Sequence, residues 1–442
     1  MKILILGNGF DLAHYLPTSF RHIMAVLRTI DGLAYVPLEM GFDDVFAGFP
    51  EDESDFLVRS RVLYLLDELK FDGEVMRGLK ERLGQNLWYR YFDHQHDLIT
   101  TWVDFEHKIG EALTAFLKFF AMLRGYVVRA HVLSSLRIDA TAPEFSALIA
   151  DHQMLDILIV FGLIEVEYDT SYSADSHKVR AFRLAEAHVK AYKQTYRLDE
   201  SAVLTFLNTA LTDFVQIIET YLTEIIGRFM PRKDFIFLEK EILGVTDVYS
   251  FNYTSTFLNL YQRNNRHRSH LINLDYLHGQ AGNPYKKLVL GVHQVQDELL
   301  AEYKAYGFLK YHQKLFNNTD YHFLSENRVF NKQISTNHNI SRLKMIEFVI
   351  WGHSLDPSDH EYIREIFAFN PGRDEGVRVK VLFHSETSRF ALLSNLLHVL
   401  GKDTTEYWMK KNWLRFESVP DVYALNCAPS VAALEPPHDT IH

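Results

Sequence analysis

Residues 1–20, MKILILGNGFDLAHYLPTSF, constrain this chain more than any other stretch. Lys2-Ile3-Leu4-Ile5-Leu6 reads as a short buried strand that runs straight into Gly7-Asn8-Gly9. Phe10-Asp11-Leu12-Ala13-His14 can then open a helix. A strand, a glycine turn and a helix start together predict a phosphate cradle. Glycine lets the backbone turn sharply and approach a ligand, and helix-start N–H groups face an anion. The third glycine of G-x-G-x-x-G is replaced by Leu12, and no acidic residue closes a second strand about 20 residues on, so a dehydrogenase fingerprint is not met. The apolar run Ile3 to Leu6 is too short for the core of a secretory signal.

The rest of the chain divides by hydrophobic period. Thr246–Phe251, Leu271–Leu277, Lys287–Val292, Met345–Trp351 and Val377–Phe383 are compact runs suited to a sheet covered on both faces. Between them and the first strand, Asp55–Lys70, Asp104–Val127, Glu144–Leu163, Lys178–Arg197 and Glu200–Met230 read as amphipathic helices, their aromatic stripes forming core. The first strand lacks local partners and belongs with the late ones. The reading is therefore an α/β chain. Residues 1–34 and 241–418 form a discontinuous nucleotide-binding unit with a Rossmann-type parallel sheet, residues 35–240 form a large helical insertion, and 419–442 form a loop-like tail containing Pro420, Pro429, Pro436 and Pro437.

Composition narrows the function. Among 442 residues, 47% are apolar and 23% charged, as in soluble globular chains. The net charge of −11 argues against nucleic acid as a partner. No uninterrupted apolar run is long enough to cross a bilayer; Met154 to Glu165, the best, is broken by Asp156. The single cysteine, Cys427, rules out a disulfide framework or a cysteine zinc site within one chain and fits a cytoplasmic location. No metal is expected: the 22 histidines are scattered, and His94-Gln95-His96 reads as a solvated loop.

Three late strands end in unusual polar residues: Phe251-Asn252-Tyr253-Thr254, Leu277-His278-Gly279 and Gly352-His353-Ser354-Leu355. Ligands of open α/β sheets bind beyond the carboxyl ends of strands. Gly7-Asn8-Gly9, Asn252, His278 and Gly352-His353-Ser354 all stand at such ends and are expected to line one pocket. Asp356, Pro357 and Asp359 fit a helix start and are read as capping. Thr100 to Glu106 either caps the next helix or reaches toward the turn after the first strand.

The opening block Gly7 to Ser19 resembles the start of the AbiH family of phage abortive-infection proteins. Trp102-Val103-Asp104-Phe105-Glu106, Phe251-Asn252-Tyr253-Thr254, Leu277-His278-Gly279 and Gly352-His353-Ser354-Leu355-Asp356 follow in the family's order. The same motifs resemble, more distantly, the sirtuin-like NAD-binding fold. Leu16-Pro17 stands at its Gly-Ile-Pro-like segment, Asn252 in its Asn strand end, His278-Gly279 at its catalytic His-Gly and Gly352 to Leu355 at its Gly-Thr-Ser-Leu turn. Thr254 replaces the acidic residue of the Asn strand end, and the four zinc cysteines of protein deacylases are absent, which leaves chemistry on NAD itself.

That resemblance implies an antiphage NAD hydrolase cleaving the nicotinamide–ribose bond. His278 is the base, its ordinary pKa of about 6.5 lying near working pH, and Asn252 orients water or a ribose hydroxyl. Gly7, Asn8 and Gly9 hold the pyrophosphate, Gly352, His353 and Ser354 close over the phosphate or adenosine side, and Asp11 accepts a ribose hydroxyl or caps the first helix. A phage-derived trigger or partner protein and a homo-oligomer belong to this picture. The alternative is a module that binds NAD, ADP-ribose or another nucleotide and switches the helical region without turnover.

Overall fold

The computed structural model describes residues 1–124, 137–139, 143–168, 179–192, 195–236, 238–262, 272–292, 297–317, 323–324, 345–368 and 376–427. Six strands form one parallel sheet: β1 (Lys2–Leu6), β2 (Val245–Ser250), β3 (Asn273–Tyr276), β4 (Ile346–Trp351), β5 (Val377–Phe383) and β6 (Leu414–Ser418). Their order across the sheet is β3-β2-β1-β4-β5-β6. β1 lies between partners far along the chain, with Leu6 beside Ser250 on one side and Trp351 on the other. The order of strands reverses between β1 and β4, where doubly wound sheets open a crevice for ligands.

Side-chain alternation explains why these runs form central strands. Leu4 and Leu6 of β1 join Val248, Val349 and Trp351 in one core, while Ile3 and Ile5 join Tyr249, Phe348 and Ile350 in the other. Every residue of β1 from Ile3 to Leu6 is buried. Burial of such side chains stabilises by about 1.5–3 kcal/mol each.

The helices that position the cleft are α1 (Asn8–Ala13), α2 (Phe20–Gly32), α3 (Trp102–Arg124), α4 (Glu200–Thr220), α5 (Lys310–Asn317), α6 (His360–Ala368) and α7 (Glu386–Leu400). α3 buries Phe105, Ile109, Leu113, Phe116 and Phe120 along one face, as its period predicts. At its start Asp104 accepts the Thr100 and Thr101 N–H groups, and Thr101 Oγ1 accepts the Asp104 N–H, a reciprocal cap. Residues Glu200–Arg228 are, by length and composition, apolar enough to cross a membrane, which the sequence reading did not register. Val203, Leu207, Leu211, Phe214 and Ile217 of this stretch pack in the protein core.

Four expectations need correction. The described part of Lys178–Arg197 is not an α-helix but forms strands at Val179–Leu184, Val189–Tyr192 and Thr195–Leu198 around a 3-10 turn at Glu186–His188. Its polar positions alternate, and Arg183 shares Glu167 with Arg137 across neighbouring antiparallel strands. Lys287–Val292 lies outside the main sheet. The Gln313 side chain serves as its partner, donating to the Leu290 carbonyl and accepting the Leu290 N–H, both at 2.9 Å. β6 was not anticipated. The tail begins with a helix, Val422–Cys427, and residues 428–442 lie outside the described residues.

Candidate functional site

The turns after β1 and β4 are pressed together backbone to backbone. Gly7 N–H donates to the Trp351 carbonyl at 3.0 Å and Gly9 N–H to the Gly352 carbonyl at 2.9 Å. A Cβ on Gly7 would lie 2.4 Å from the His353 Cα, and one on Gly9 2.7 Å from the Gly352 Cα. Gly352 itself has φ +76, and a Cβ there would lie 2.1 Å from the Phe10 nitrogen. These glycines therefore have a packing cause. The Gly7 N–H is taken by the last residue of β4 and the Gly9 N–H by the Gly352 carbonyl just after it. Asn8 remains available at this turn, with Thr18 Oγ1 donating to its Oδ1 at 2.7 Å.

A cleft of about 210 Å³ opens beside this crossing. Gly7, Asn8, Asp11, Asn252, His278, Gly352, His353 and Ser354 line it together, and Gly9 lies outside. Four strand ends and the first helix thus converge on one hollow. α2 and α3 form its opposite wall through Thr18, Ser19, Phe20, Thr101 and Trp102. Trp102 Nε1–H donates to the Thr18 carbonyl at 3.1 Å and fixes the two helix starts to each other.

Beneath the crossing lies a buried ion cluster. The Asp359 carboxylate faces His278 Nε2 and His353 Nε2, each at 3.3 Å, and Lys310 Nζ at 3.7 Å. Lys310 Nζ also meets Glu106 Oε1 at 2.7 Å. The rings of His278 and His353 stand at 5.0 Å and 4.1 Å from the Phe251 ring. His353 Nδ1 accepts the Leu355 N–H at 2.9 Å, which leaves the proton of the neutral ring on Nε2, toward Asp359. Asp356 caps as expected, accepting the Ser358 N–H at 2.8 Å. Asp359 does more than the capping assigned to it.

Burial and neighbours set the charges. Burial pulls His278 down to about 4 despite Asp359, so the ring is neutral at neutral pH and a weaker base than its ordinary value implies. Burial pushes Asp359 upward, but Lys310 and the two histidines outweigh it and hold the carboxyl well below the usual range. Burial alone would lower Lys310, yet Asp359 and Glu106 raise it. Burial carries Glu106 up to about 7 against the pull of Lys310.

On the other side, burial lifts Asp11 to about 6, opposed by hydrogen bonds from Thr254, Thr256 and Asn252. Thr254 Oγ1 donates to Asp11 Oδ2 at 2.5 Å. Asp11 makes no capping bond to α1, so that alternative is removed.

Asp11 Oδ1, Asn252 Oδ1, His278 Nε2 and Asp359 Oδ1 are all buried without a hydrogen-bond partner. The His278–Asp359 approach is close enough to attract but off-line as a hydrogen bond. Orphaned buried polar atoms are uncommon, and several in one cleft are what a polar ligand satisfies. Among the described residues no group of three or more His, Cys, Asp or Glu is arranged to hold a metal ion. Lys310 occupies the centre of the acidic cluster instead.

Sequence reasoning missed Lys310 and Asp359 as members of the site, since nothing in Lys310-Tyr311-His312 marks a buried cation. The stretch Thr100 to Glu106 both caps α3 and lines the cleft with Gly7 and Asn8, and its Glu106 enters the ion cluster.

A family model described as bacteriophage abortive infection AbiH matches residues 3–374. No curated protein and no solved structure matches the chain.

Proposed function

The chain belongs to the AbiH family of bacteriophage abortive-infection proteins, and from that footing we propose that it is an NAD hydrolase that depletes NAD in infected cells. An antiphage abortive-infection role follows from the family; the chemistry is the inference. The observation that carries it is the set of buried, unpartnered atoms of Asp11, Asn252, His278 and Asp359 at the crevice between β1 and β4. The motif likeness of Asn252 and His278 to the sirtuin-like fold adds the direction.

In the proposed reaction the bond from ribose C1′ to the nicotinamide nitrogen breaks. Its electron pair goes to the cationic ring, which leaves neutral and needs no acid. A water oxygen bonds to C1′, and the water proton passes to a base. Asn252 Oδ1 is an acceptor for that water or for a ribose hydroxyl. His278, neutral at pH 7, takes the proton. The proposed setting is the cytoplasm, and the activity waits for a phage-derived trigger, since constant NAD loss would kill an uninfected host.

The test is NAD consumption, with ADP-ribose and nicotinamide as products, by the purified chain and in infected cells. His278→Ala and Asn252→Ala are each expected to lower the rate by about 10²–10⁴, measured below the melting temperature of each variant. The low basicity of His278 favours, as a second reading, a module that binds the nucleotide without turnover. Unchanged NAD levels during infection, with His278→Ala protecting as well as wild type, would select it and end the hydrolase reading.

A further inference from the structure

The two ends of the cleft differ in burial and in what they offer a ligand. Its floor is formed by Asp11, Glu106 and Asp359, all buried, against one buried ammonium, Lys310. That ammonium is committed between Glu106 Oε1 at 2.7 Å and Asp359 at 3.7 Å. Asp11 Oδ1 and Asp359 Oδ1 accept no hydrogen bond, although Asp359 Oδ1 has His278 Nε2 at 3.3 Å and Lys310 Nζ at 3.7 Å. The mouth is different. Thr100 and Thr101 are exposed there with their hydroxyls donating to the Asp104 carboxylate, and Ser19 is half-buried. Ser19 caps α2: its Oγ accepts the His22 N–H and its carbonyl the Ile23 N–H, each at 3.1 Å. The N–H groups of Phe20 and Arg21, at the first two positions of this 13-residue helix, have no acceptor within it. A helix start of this kind favours an anion.

We propose that the floor receives the positively charged ring of an oxidised pyridine dinucleotide, with its phosphates at the mouth against the start of α2, so that the cleft selects its ligand by charge. The inference rests on the nucleotide reading above. It also reassigns the phosphate end. The Gly7 and Gly9 N–H groups are used by β4 and the turn after it, and a phosphate on the floor would meet carboxylates, whereas the α2 start offers donors and no carboxylate of its own cap.

Titration supplies a signature. Glu106, pushed up to about 7, is faced by Lys310, Asp359, Asp356 and Tyr253. Asp11, pushed up to about 6, is faced by Tyr64 and Tyr276 and by the Thr254, Thr256 and Asn252 side chains. A cation on the floor favours their ionised forms. Its binding therefore strengthens as pH rises through 6 to 7 and releases protons below that range. A reduced or base-free nucleotide, with no ring charge, lacks this dependence.

The experiment is calorimetric titration of the full chain at pH 8 and pH 5.5, in two buffers of different ionisation enthalpy. The probes are carba-NAD, which keeps the cationic ring and resists cleavage, and NADH. The expected result is at least tenfold tighter binding of carba-NAD at pH 8, a smaller preference at pH 5.5, and proton release near pH 6 with carba-NAD alone. Glu106→Gln and Asp11→Asn should each shrink the preference for carba-NAD over NADH several-fold. Equal affinity for the two probes at pH 8 overturns charge selection and leaves the nucleotide reading standing. Binding of neither probe removes both. If the variants do not fold, the pH dependence of the wild-type preference decides.

Discussion

Gly7, Gly9 and Gly352 meet through their backbones, whereas Glu106, Lys310, Asp359 and His278, just beneath them, meet only through side chains. The crossing of the two turns leaves no room for a Cβ and carries no charge that titrates. The cluster tolerates some looseness of shape, as the off-line His278 contact shows, but depends on every charge having its partner. One region is held by steric fit and the other by electrostatics, so changes of size and changes of charge should separate them.

The largest effect is expected from Lys310→Met. Removing the ammonium strands Glu106 and Asp359 in a dry site, and breaking a buried pair from one side costs about 3–5 kcal/mol. Urea denaturation at pH 8 measures it, and adding Glu106→Gln to the same chain should recover part of the loss. A cost below about 1 kcal/mol would mean that water already screens the cluster.

Gly352→Ala comes next, at about 2–4 kcal/mol, from the φ of +76 and the contact of the new Cβ with the Phe10 nitrogen. This loss should be equal at pH 5 and pH 8, because no titrating group causes it. A loss that grows with pH would tie the crossing to the cluster and break the comparison.

Asp11→Asn is expected to stabilise. Burial raises Asp11 from 3.8 to about 6, so between those pH values the folded chain keeps a proton that the unfolded chain has lost, and stability falls as pH climbs. Above about 6 the full penalty is present, roughly 2–3 kcal/mol at 1.36 kcal/mol per unit. The gain from Asp11→Asn should therefore be clear at pH 8 and small at pH 4.5. His278, held down to about 4, slopes the other way and loses stability as pH falls below its ordinary value. The smallest effect serves as a control. Gly78 lies inside the helix Gly73–Gln85 with nothing near its would-be Cβ, and Gly78→Ala should add about 0.5–1 kcal/mol in a thermal melt.

The same contrast explains what could be read in the sequence. β1 and β4 are nearly continuous buried runs, so the composition of each already requires a sheet covered on both faces, whereas β2 and β5 show themselves by their Val, Leu, Tyr and Phe content. Their ends place Asn252, His278 and the Gly352-His353-Ser354 turn together without further information, because a parallel sheet puts all carboxyl ends on one edge. β6 was missed because Leu414-Arg415-Phe416-Glu417-Ser418 is a half-buried edge strand with only two apolar side chains. The strands after Val179 were missed because short alternating stretches with interspersed alanine also fit a helical period. The ion cluster was illegible for another reason. Lys310, Glu106 and Asp359 come from segments far apart in the chain, and each alone looks like an ordinary helix-surface charge.

The place of β1 in the sheet also sets a timetable. Met1 N donates to the carbonyl of Met345, 344 residues away, and β1 gains its second neighbour only when β4 exists. At about 5–20 residues per second, a ribosome needs roughly 20–70 s to travel that distance. During that interval the cleft has no Gly352, His353 or Asp359, and a partly made chain carries Asn252 and His278 without the turn that confines them. Topology thereby delays assembly of the cleft until β4 and the turn after it have been made. Chains stalled before β4 should be quickly cut by protease at the Ile3–Leu6 segment and show no nucleotide binding.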